Sequence, residues 1–165
     1  ERCPDKTEAV SSILTTRTMA IGDEPKPNTG PDKPKEGKEK VDLKILLADD
    51  DPYVMENMGG PLKLKYSSVE AVKNGKLLMG YLLAPGNKVD FLLTDYNMPE
   101  MNGLEALRQI RAKGLKDLPV IMMSGDFDYE DIQKKAEALG AVFLRRPVDI
   151  EDLVVAIEKL RLKKR

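Results

Sequence analysis

The chain has 165 residues, enough for one globular domain with an additional segment, and its 27 basic residues nearly cancel its 28 acidic ones. This balance provides no positive field that would attract nucleic acid or anionic lipid, and the longest apolar runs fall far short of the ~20 residues of a membrane helix. The absence of histidine excludes histidine-based catalysis, histidine metal ligands and a phosphohistidine carried by the chain itself. We therefore expect chemistry based on carboxylates, hydroxyls and cations, with no direct contact to nucleic acid or membrane.

The first part of the chain has the composition of a linker. Residues 22–40 combine four prolines, three glycines and dense mixed charge, which leaves too little apolar surface to offset the entropy of ordering. We predict that residues 1–41 form a disordered or linker tail and that one domain occupies residues 42–165. The single cysteine, Cys3, cannot form an internal disulfide, and no secretory signal pattern is present, so we expect a cytoplasmic protein.

From Leu43 onward, short apolar runs alternate with segments of helical periodicity, which is the pattern of a parallel sheet covered by helices. The predicted strands are Leu43–Ala48, Ser67–Val72, Val89–Thr94, Pro119–Ser124 and Ala141–Leu144. The predicted helices lie near Pro52–Leu64, Lys76–Leu83, Leu104–Ala112, Tyr129–Leu139 and Ile150–Leu162. This succession predicts an α/β fold with a doubly wound five-stranded parallel sheet, flavodoxin-like strand order 2-1-3-4-5 and helices on both faces.

Two of the predicted helices have informative sequences. The first contains Gly-Gly-Pro at residues 59–61, where glycine is unfavourable and proline removes a hydrogen bond, so we expect this helix to be broken or shortened. In the last helix, Leu153, Ile157 and Leu160 share one stripe, which we expect to face the sheet.

Polar side chains follow four of the predicted strands. They are Asp49 and Asp50 after the first strand, Asp95 after the third, Ser124 at the end of the fourth and Arg146 after the fifth. Because the carboxyl ends of parallel strands meet at one edge of the sheet, we expect these side chains to lie close together. Clustered carboxylates repel one another unless a cation lies among them, and hard divalent ions prefer oxygen ligands, so the pattern predicts a Mg²⁺ site.

Several of these residues also have a purely structural interpretation. Asp51, which precedes a proline, is well suited to cap the first helix, and we assign it that role. Capping accounts for at most one of the two acids before it. Ser124 could equally be a turn residue, and Arg146 could be a solvated surface charge, with Arg145 competing for the same role.

Four segments resemble the motifs of the receiver domains of two-component response regulators: ILLADDDP, VDFLLTDYNMPEMNG, LPVIMMSG and FLRRPVD. AVKNG also fits, and the resemblance covers nearly all of residues 43–162. It implies that Asp95 is the phospho-acceptor, that Asp50 binds the metal directly and Asp49 often through water, and that Asn97 binds it through its main-chain carbonyl. It also implies that Ser124 is a switch hydroxyl.

The resemblance implies a function in a phosphorelay. The chain would accept a phosphoryl group from a histidine kinase or a histidine phosphotransfer protein, with Mg²⁺ as cofactor and Mn²⁺ as an alternative ion. It would not be an enzyme beyond catalysing its own phosphorylation and dephosphorylation. The signal would pass to an output domain or target protein through the face formed by the fourth helix, fifth strand and fifth helix.

The sequence departs from the family at Arg146, where a lysine is usual. Arginine keeps the charge but is larger and forked. We therefore expect phosphorylation to survive and the coupling to Ser124 and to Phe143, which stands at the position of the family's switch aromatic, to weaken. Phe143 could equally be a core residue.

Three other interpretations follow from the same residues. A pseudo-receiver would serve as a protein-interaction module that does not switch on phosphorylation. An aspartate-nucleophile phosphatase would need a second aspartate where Asn97 stands. A receiver excised from a hybrid kinase would have the same chemistry, with residues 22–40 as its linker.

Overall fold

The computed structural model describes residues 39–163, and the predicted tail lies outside the described residues up to residue 38. The five strands are Val41–Ala48 (β1), Tyr66–Val72 (β2), Phe91–Asp95 (β3), Val120–Ser124 (β4) and Val142–Arg145 (β5). The five helices are Pro52–Lys65 (α1), Gly75–Leu83 (α2), Gly103–Ala112 (α3), Tyr129–Ala138 (α4) and Ile150–Lys163 (α5).

The strands form one parallel sheet in the order β2-β1-β3-β4-β5. This confirms the predicted fold class and strand order, and the strand boundaries differ from the predicted ones by one or two residues. Every residue of β3 and β4 is buried, because helices cover both faces of the central strands. The carboxyl ends of β1, β3, β4 and β5 are therefore neighbours at one edge.

Alternate residues of the strands face two separate layers of the core. In β1, Ile45 and Leu47 contribute to the layer under α1 and α5, whereas Leu46 and Ala48 contribute to the layer under α2, α3 and α4. The stripe predicted for the last helix belongs to the first of these layers, with Leu153 and Ile157 fully buried and Leu160 packed against them. Within residues 39–163, no helix combines the length and the apolar character needed to cross a membrane.

The prediction that α1 is broken or shortened is wrong. The helix runs without interruption from Pro52 to Lys65, with Pro61 inside it. Pro61 cannot donate to the carbonyl of Asn57, but both residues are exposed, so water can satisfy that carbonyl. Leu62, the next residue, is fully buried in the core. Tertiary packing of this side chain therefore outweighs the poor local propensity of residues 59–61.

Restoring the missing hydrogen bond in α1 should stabilise the protein. We expect Pro61→Ala to raise the free energy of unfolding by about 1–3 kcal/mol, because alanine supplies the N–H that proline lacks. Gly60→Ala is the matched control, since a Cβ at Gly60 meets no atom within 4 Å, and it should add only about 0.5–1 kcal/mol. Urea denaturation measures both values. A loss of stability in Pro61→Ala would show that the proline ring makes a contact the fold requires.

Candidate functional site

The residues that the sequence places after four strands do meet at one edge of the sheet. Asp49 follows β1, Asp95 ends β3, Ser124 ends β4 and Arg146 follows β5. Asp49, Asp95 and Ser124 are nearly inaccessible, with exposed fractions of 1%, 6% and 1%. Buried polar side chains need partners, because an unpaired carboxylate in the interior is strongly destabilising. The partners of these groups define the site.

Arg146 is the main partner of the two buried carboxylates. Its Nη2 contacts Oδ2 of Asp49 directly and lies 3.3 Å from Oδ1 of Asp95, so one guanidinium joins both acids. The other oxygen of Asp49 accepts a hydrogen bond from the main-chain N–H of Asp51 at 2.9 Å. The second oxygen of Asp95 accepts one from the N–H of Asn97, also at 2.9 Å. Each carboxylate thus has one cationic and one main-chain partner.

The surroundings of Asp95 still make its charged form less favourable than it is in water. Burial raises the pKa of this carboxyl to about 6; Arg146 and the Asn97 N–H oppose the rise, and Asp49 adds to it. A folded-state pKa above the ordinary 3.8 means that the native state binds the proton more tightly than the unfolded chain. The stability contributed by that proton is therefore fully present below the ordinary pKa of 3.8 and is lost as the pH rises through about 6, so the charge of Asp95 destabilises the fold at neutral pH.

The other two acids of the Asp49–Asp51 trio are exposed and differ in role. Asp51 caps α1, as predicted, by accepting a hydrogen bond from the N–H of Tyr53 at 2.9 Å. Asp50 lies at the exposed rim of the site. Among residues 39–163, no three carboxylate or thiol side chains are grouped around a common point as metal ligands. The donor set consists of oxygens, which suits a hard divalent ion, but Arg146 engages oxygens that such an ion would also need.

Asn97 connects two loops across the mouth of the site. Its main chain binds Asp95, and its side-chain Nδ2 donates to both carboxylate oxygens of Asp126 at 2.9 Å. The main-chain N–H of Asp126 in turn donates to Oγ of Ser124 at 3.2 Å. The sequence interpretation did not include Asp126. Its only signal was its position two residues beyond Ser124, in a loop that begins at the same sheet edge.

The structure gives different environments to Arg145, the last residue of β5, and Arg146, the residue after it. Arg146 enters the site, whereas the guanidinium carbon of Arg145 lies 4.2 Å from the ring centre of Tyr129, the first residue of α4. The main-chain N–H of Arg146 donates to the carbonyl of Ser124 at 2.8 Å, which ties the ends of β4 and β5 together. Phe143 is half-buried against the core layer under α2, α3 and α4, a position compatible with either role that the sequence suggested.

The chain after Asp95 returns very close to it. A Cβ at Gly103, the first residue of α3, would lie 2.2 Å from the carbonyl oxygen of Asp95. The N–H of Gly103 donates to the carbonyl of Tyr96 at 2.8 Å, which closes the loop of residues 96–102. Glycine is therefore required here by the close approach of two backbone segments.

Comparisons with a family model and with known protein sequences agree on one family. Residues 45–158 match the model of the response regulator receiver domain. The chain is 32% identical over 112 residues to the two-component response regulator ORR26 of Oryza sativa subsp. japonica, covering 67% of this chain and 19% of that protein. It is also 32% identical over 118 residues to the 3',5'-cyclic-nucleotide phosphodiesterase regA of Dictyostelium discoideum, covering 70% of this chain and 15% of that protein. The chain thus spans less than a fifth of these relatives' length.

Solved structures show the same fold. A response regulator receiver domain protein from Clostridium thermocellum superposes with a TM-score of 0.68 at 29% sequence identity. The match covers 74% of this chain and 96% of that structure. The similarity therefore extends over almost the whole of a receiver domain.

The close approach at Gly103 can be tested by adding one methyl group. We expect Gly103→Ala to lower the free energy of unfolding by at least about 1–3 kcal/mol, because the new Cβ forces the backbone of Asp95 to move. Gly80→Ala in α2 is the control, since nothing lies within 4 Å of its Cβ position, and it should be neutral or slightly stabilising. Chemical denaturation of both variants gives the comparison. Equal stability of the two would contradict the proposed close packing.

Proposed function

The chain belongs to the response regulator receiver domain family, and we propose that it accepts a phosphoryl group on Asp95 from the phosphohistidine of a partner protein. The observation that carries this proposal is the buried pair of Asp49 and Asp95 joined by one guanidinium at the carboxyl edge of the sheet. Burial raises the pKa of Asp95 to about 6, so its negative charge costs stability at neutral pH. Such an arrangement is typical of a reactive site rather than of a structural ion pair.

We propose Mg²⁺, or Mn²⁺ in its place, as the cofactor, because the donors at this edge are oxygens of the kind that hard divalent ions prefer. Asp49, Asp50 and Asp95 would hold it with their carboxylates, and Asn97 with its main-chain carbonyl. When bound, the ion supplies positive charge that stabilises the phosphoryl oxygens in the transition state. The role of the protein is to hold its carboxylate and carbonyl oxygens in fixed positions. Arg146 supplies further positive charge to the phosphoryl group.

Phosphoryl transfer at this site requires one bond to form and one to break. A carboxylate oxygen of Asp95 attacks phosphorus in line, the nitrogen–phosphorus bond of the donor histidine breaks, and an acyl phosphate forms on Asp95. A water molecule later attacks phosphorus, which releases inorganic phosphate and restores the carboxylate. Phosphorylation and dephosphorylation of its own Asp95 are the only reactions that we propose the chain catalyses.

Arg146 has a donor available for the incoming group. Its Nε is buried and has no hydrogen-bond partner among the described residues, and an unsatisfied donor of this kind costs free energy. A phosphoryl oxygen would satisfy it, and the planar guanidinium is suited to bind two oxygens at once. Arg146 would then release Asp49 and take up the phosphoryl group.

The movement of Arg146 from Asp49 to the phosphoryl group would also affect the output surface. Arg146 and Ser124 are joined by a main-chain hydrogen bond, and we assign Ser124 the role of the switch hydroxyl and Phe143 that of the switch aromatic. The face formed by α4, β5 and α5 would change with them, and the stacking of Arg145 on Tyr129 lies on this face. Phosphorylation would shift the equilibrium between two arrangements of that face.

The partners follow from this chemistry. The donor would be a histidine kinase or a histidine phosphotransfer protein, and the receiver domain, which includes β1 from Val41 onward, would act in the cytoplasm on an output domain or a separate target. The segment that precedes β1 would connect or extend it. The phosphatase alternative finds no support, because Asn97 offers an amide where a carboxylic acid is needed and this amide is already bound to Asp126.

The phospho-acceptor can be identified with a small phosphodonor. We expect the wild-type chain to gain one phosphoryl group from acetyl phosphate in the presence of Mg²⁺, and Asp95→Asn to gain none. Asp51→Asn is the matched control, because asparagine also caps a helix well and should leave both folding and phosphorylation intact. Intact-mass spectrometry measures the product. If the wild type takes no phosphoryl group but Arg146→Lys does, the natural chain is a pseudo-receiver.

Arg146 should compete with the metal for the same carboxylate oxygens. We expect Arg146→Gln to tighten Mg²⁺ binding by about tenfold, which corresponds to roughly 1.4 kcal/mol, because the ion pair that competes with the metal for these oxygens is removed. Arg146→Lys keeps the charge and should change the affinity little. Calorimetric titration with Mg²⁺ gives the constants. Weaker binding in Arg146→Gln would mean that the guanidinium supports the metal ligands instead of competing with them.

A further inference from the structure

The loop after Asp95 contains a strained turn. Glu100 is the only residue other than glycine with a positive φ within residues 39–163, at 65°, and the N–H of Met101 donates to the carbonyl of Pro99 at 2.7 Å. A hydrogen bond between residues two apart around a positive φ is the pattern of a classic γ-turn, which is rare and strained. Strain of this kind persists only where the surroundings hold it in place.

Asn74 provides the contact that holds this turn. Its Nδ2 donates to Oε1 of Glu100 at 2.7 Å, and its Oδ1 accepts from the N–H of Leu77 at 2.7 Å. Asn74 is buried, with 6% of its surface exposed, so its two hydrogen bonds face little competition from water. Lys76 adds a weaker, exposed contact to the second oxygen of Glu100 at 3.8 Å.

The backbone packs tightly at the same junction. A Cβ at Gly75, the residue after Asn74, would lie 2.3 Å from the carbonyl oxygen of Met101. The loop of residues 96–102 is thus pressed against the first turn of α2 at Met101 and bound to it at Glu100. The other end of this loop carries the N–H of Asn97, which binds Asp95 at 2.9 Å.

We propose that Asn74 is a positioning residue, whose hydrogen bond to Glu100 holds the loop so that the main chain of Asn97 orients the carboxylate of Asp95. The functional part of this inference rests on the proposed phosphorylation of Asp95. We call the hydrogen bond between Asn74 and Glu100 the latch. Asn74 is not a catalytic residue, since its contacts are to Glu100 and Leu77 and not to the reacting carboxylate.

Helix capping alone does not account for an asparagine at this position. A cap needs only an acceptor, which aspartate, serine or threonine would supply equally well. The latch also needs a donor, which aspartate lacks. Serine and threonine would have to donate and accept through a single oxygen on a shorter side chain, whereas asparagine has separate donor and acceptor atoms. The two functions can therefore be separated by substitution.

Asn74→Asp separates the helix cap from the latch, because the new carboxylate keeps the acceptor for the N–H of Leu77 but repels the carboxylate of Glu100. We expect the amide hydrogen of Asn97 to exchange about five- to tenfold faster in this variant, while the amide of Leu77 keeps its protection. The rate of Asp95 phosphorylation by acetyl phosphate should fall by a similar factor. Hydrogen exchange followed by NMR and intact-mass kinetics give the two measurements.

Two further variants make the test specific. Glu100→Gln keeps an acceptor for the Asn74 amide and should behave like the wild type. In the double variant Asn74→Asp with Glu100→Gln, the new amide can donate to the new carboxylate, so the latch reforms with donor and acceptor exchanged. We expect this double variant to recover both the protection of Asn97 and the phosphorylation rate.

The outcomes separate the latch from the proposed function. If Asn74→Asp leaves the exchange of Asn97 unchanged, or if Leu77 loses protection to the same extent, the latch is overturned. Failure of the double variant to recover protection would overturn it as well. If the wild type is never phosphorylated but Asn97 responds as expected, the latch stands as a structural device and the proposed function fails.

Discussion

The burial of two carboxylates at the edge of a sheet is the constraint on which the rest of this structure depends. Asp49 and Asp95 are almost inaccessible to water, and a pair of like charges so placed would oppose folding without a nearby cation. Arg146, which follows β5, provides that cation by reaching both acids across the end of β4. The strand order, which brings β1, β3 and β5 to a common edge with β4, is what allows one side chain to serve both acids.

Much of the fold could be predicted because the sheet imposes a simple pattern. Strands buried on both faces require continuous apolar runs, and β3 and β4 show them clearly. The error in α1 has an equally physical cause. Local propensity disfavours a helix at residues 59–61, but the decisive contribution comes from the burial of Leu62, a tertiary contact that local periodicity does not reveal.

The site was predictable to the extent that topology determines it. The positions of Asp49, Asp95 and Arg146 followed from their places after parallel strands. The partners of Asn97 and Glu100 did not, because Asp126 and Asn74 approach them from separate loops with ordinary turn sequences. A hydrogen bond between two loops leaves no periodic signal in the sequence, so these contacts became visible only in three dimensions.

The two-layered core described for β1 also limits how this protein can move. Side chains held on alternate faces of a close-packed sheet cannot slide past one another without opening voids, so the sheet behaves as a rigid frame. Any rearrangement that starts at Asp95 must therefore travel around the rim, through the loops and helix ends that border it. A surface that lies near Asp95 along the rim is therefore expected to respond to a change at the site more than one that is near it only through the sheet.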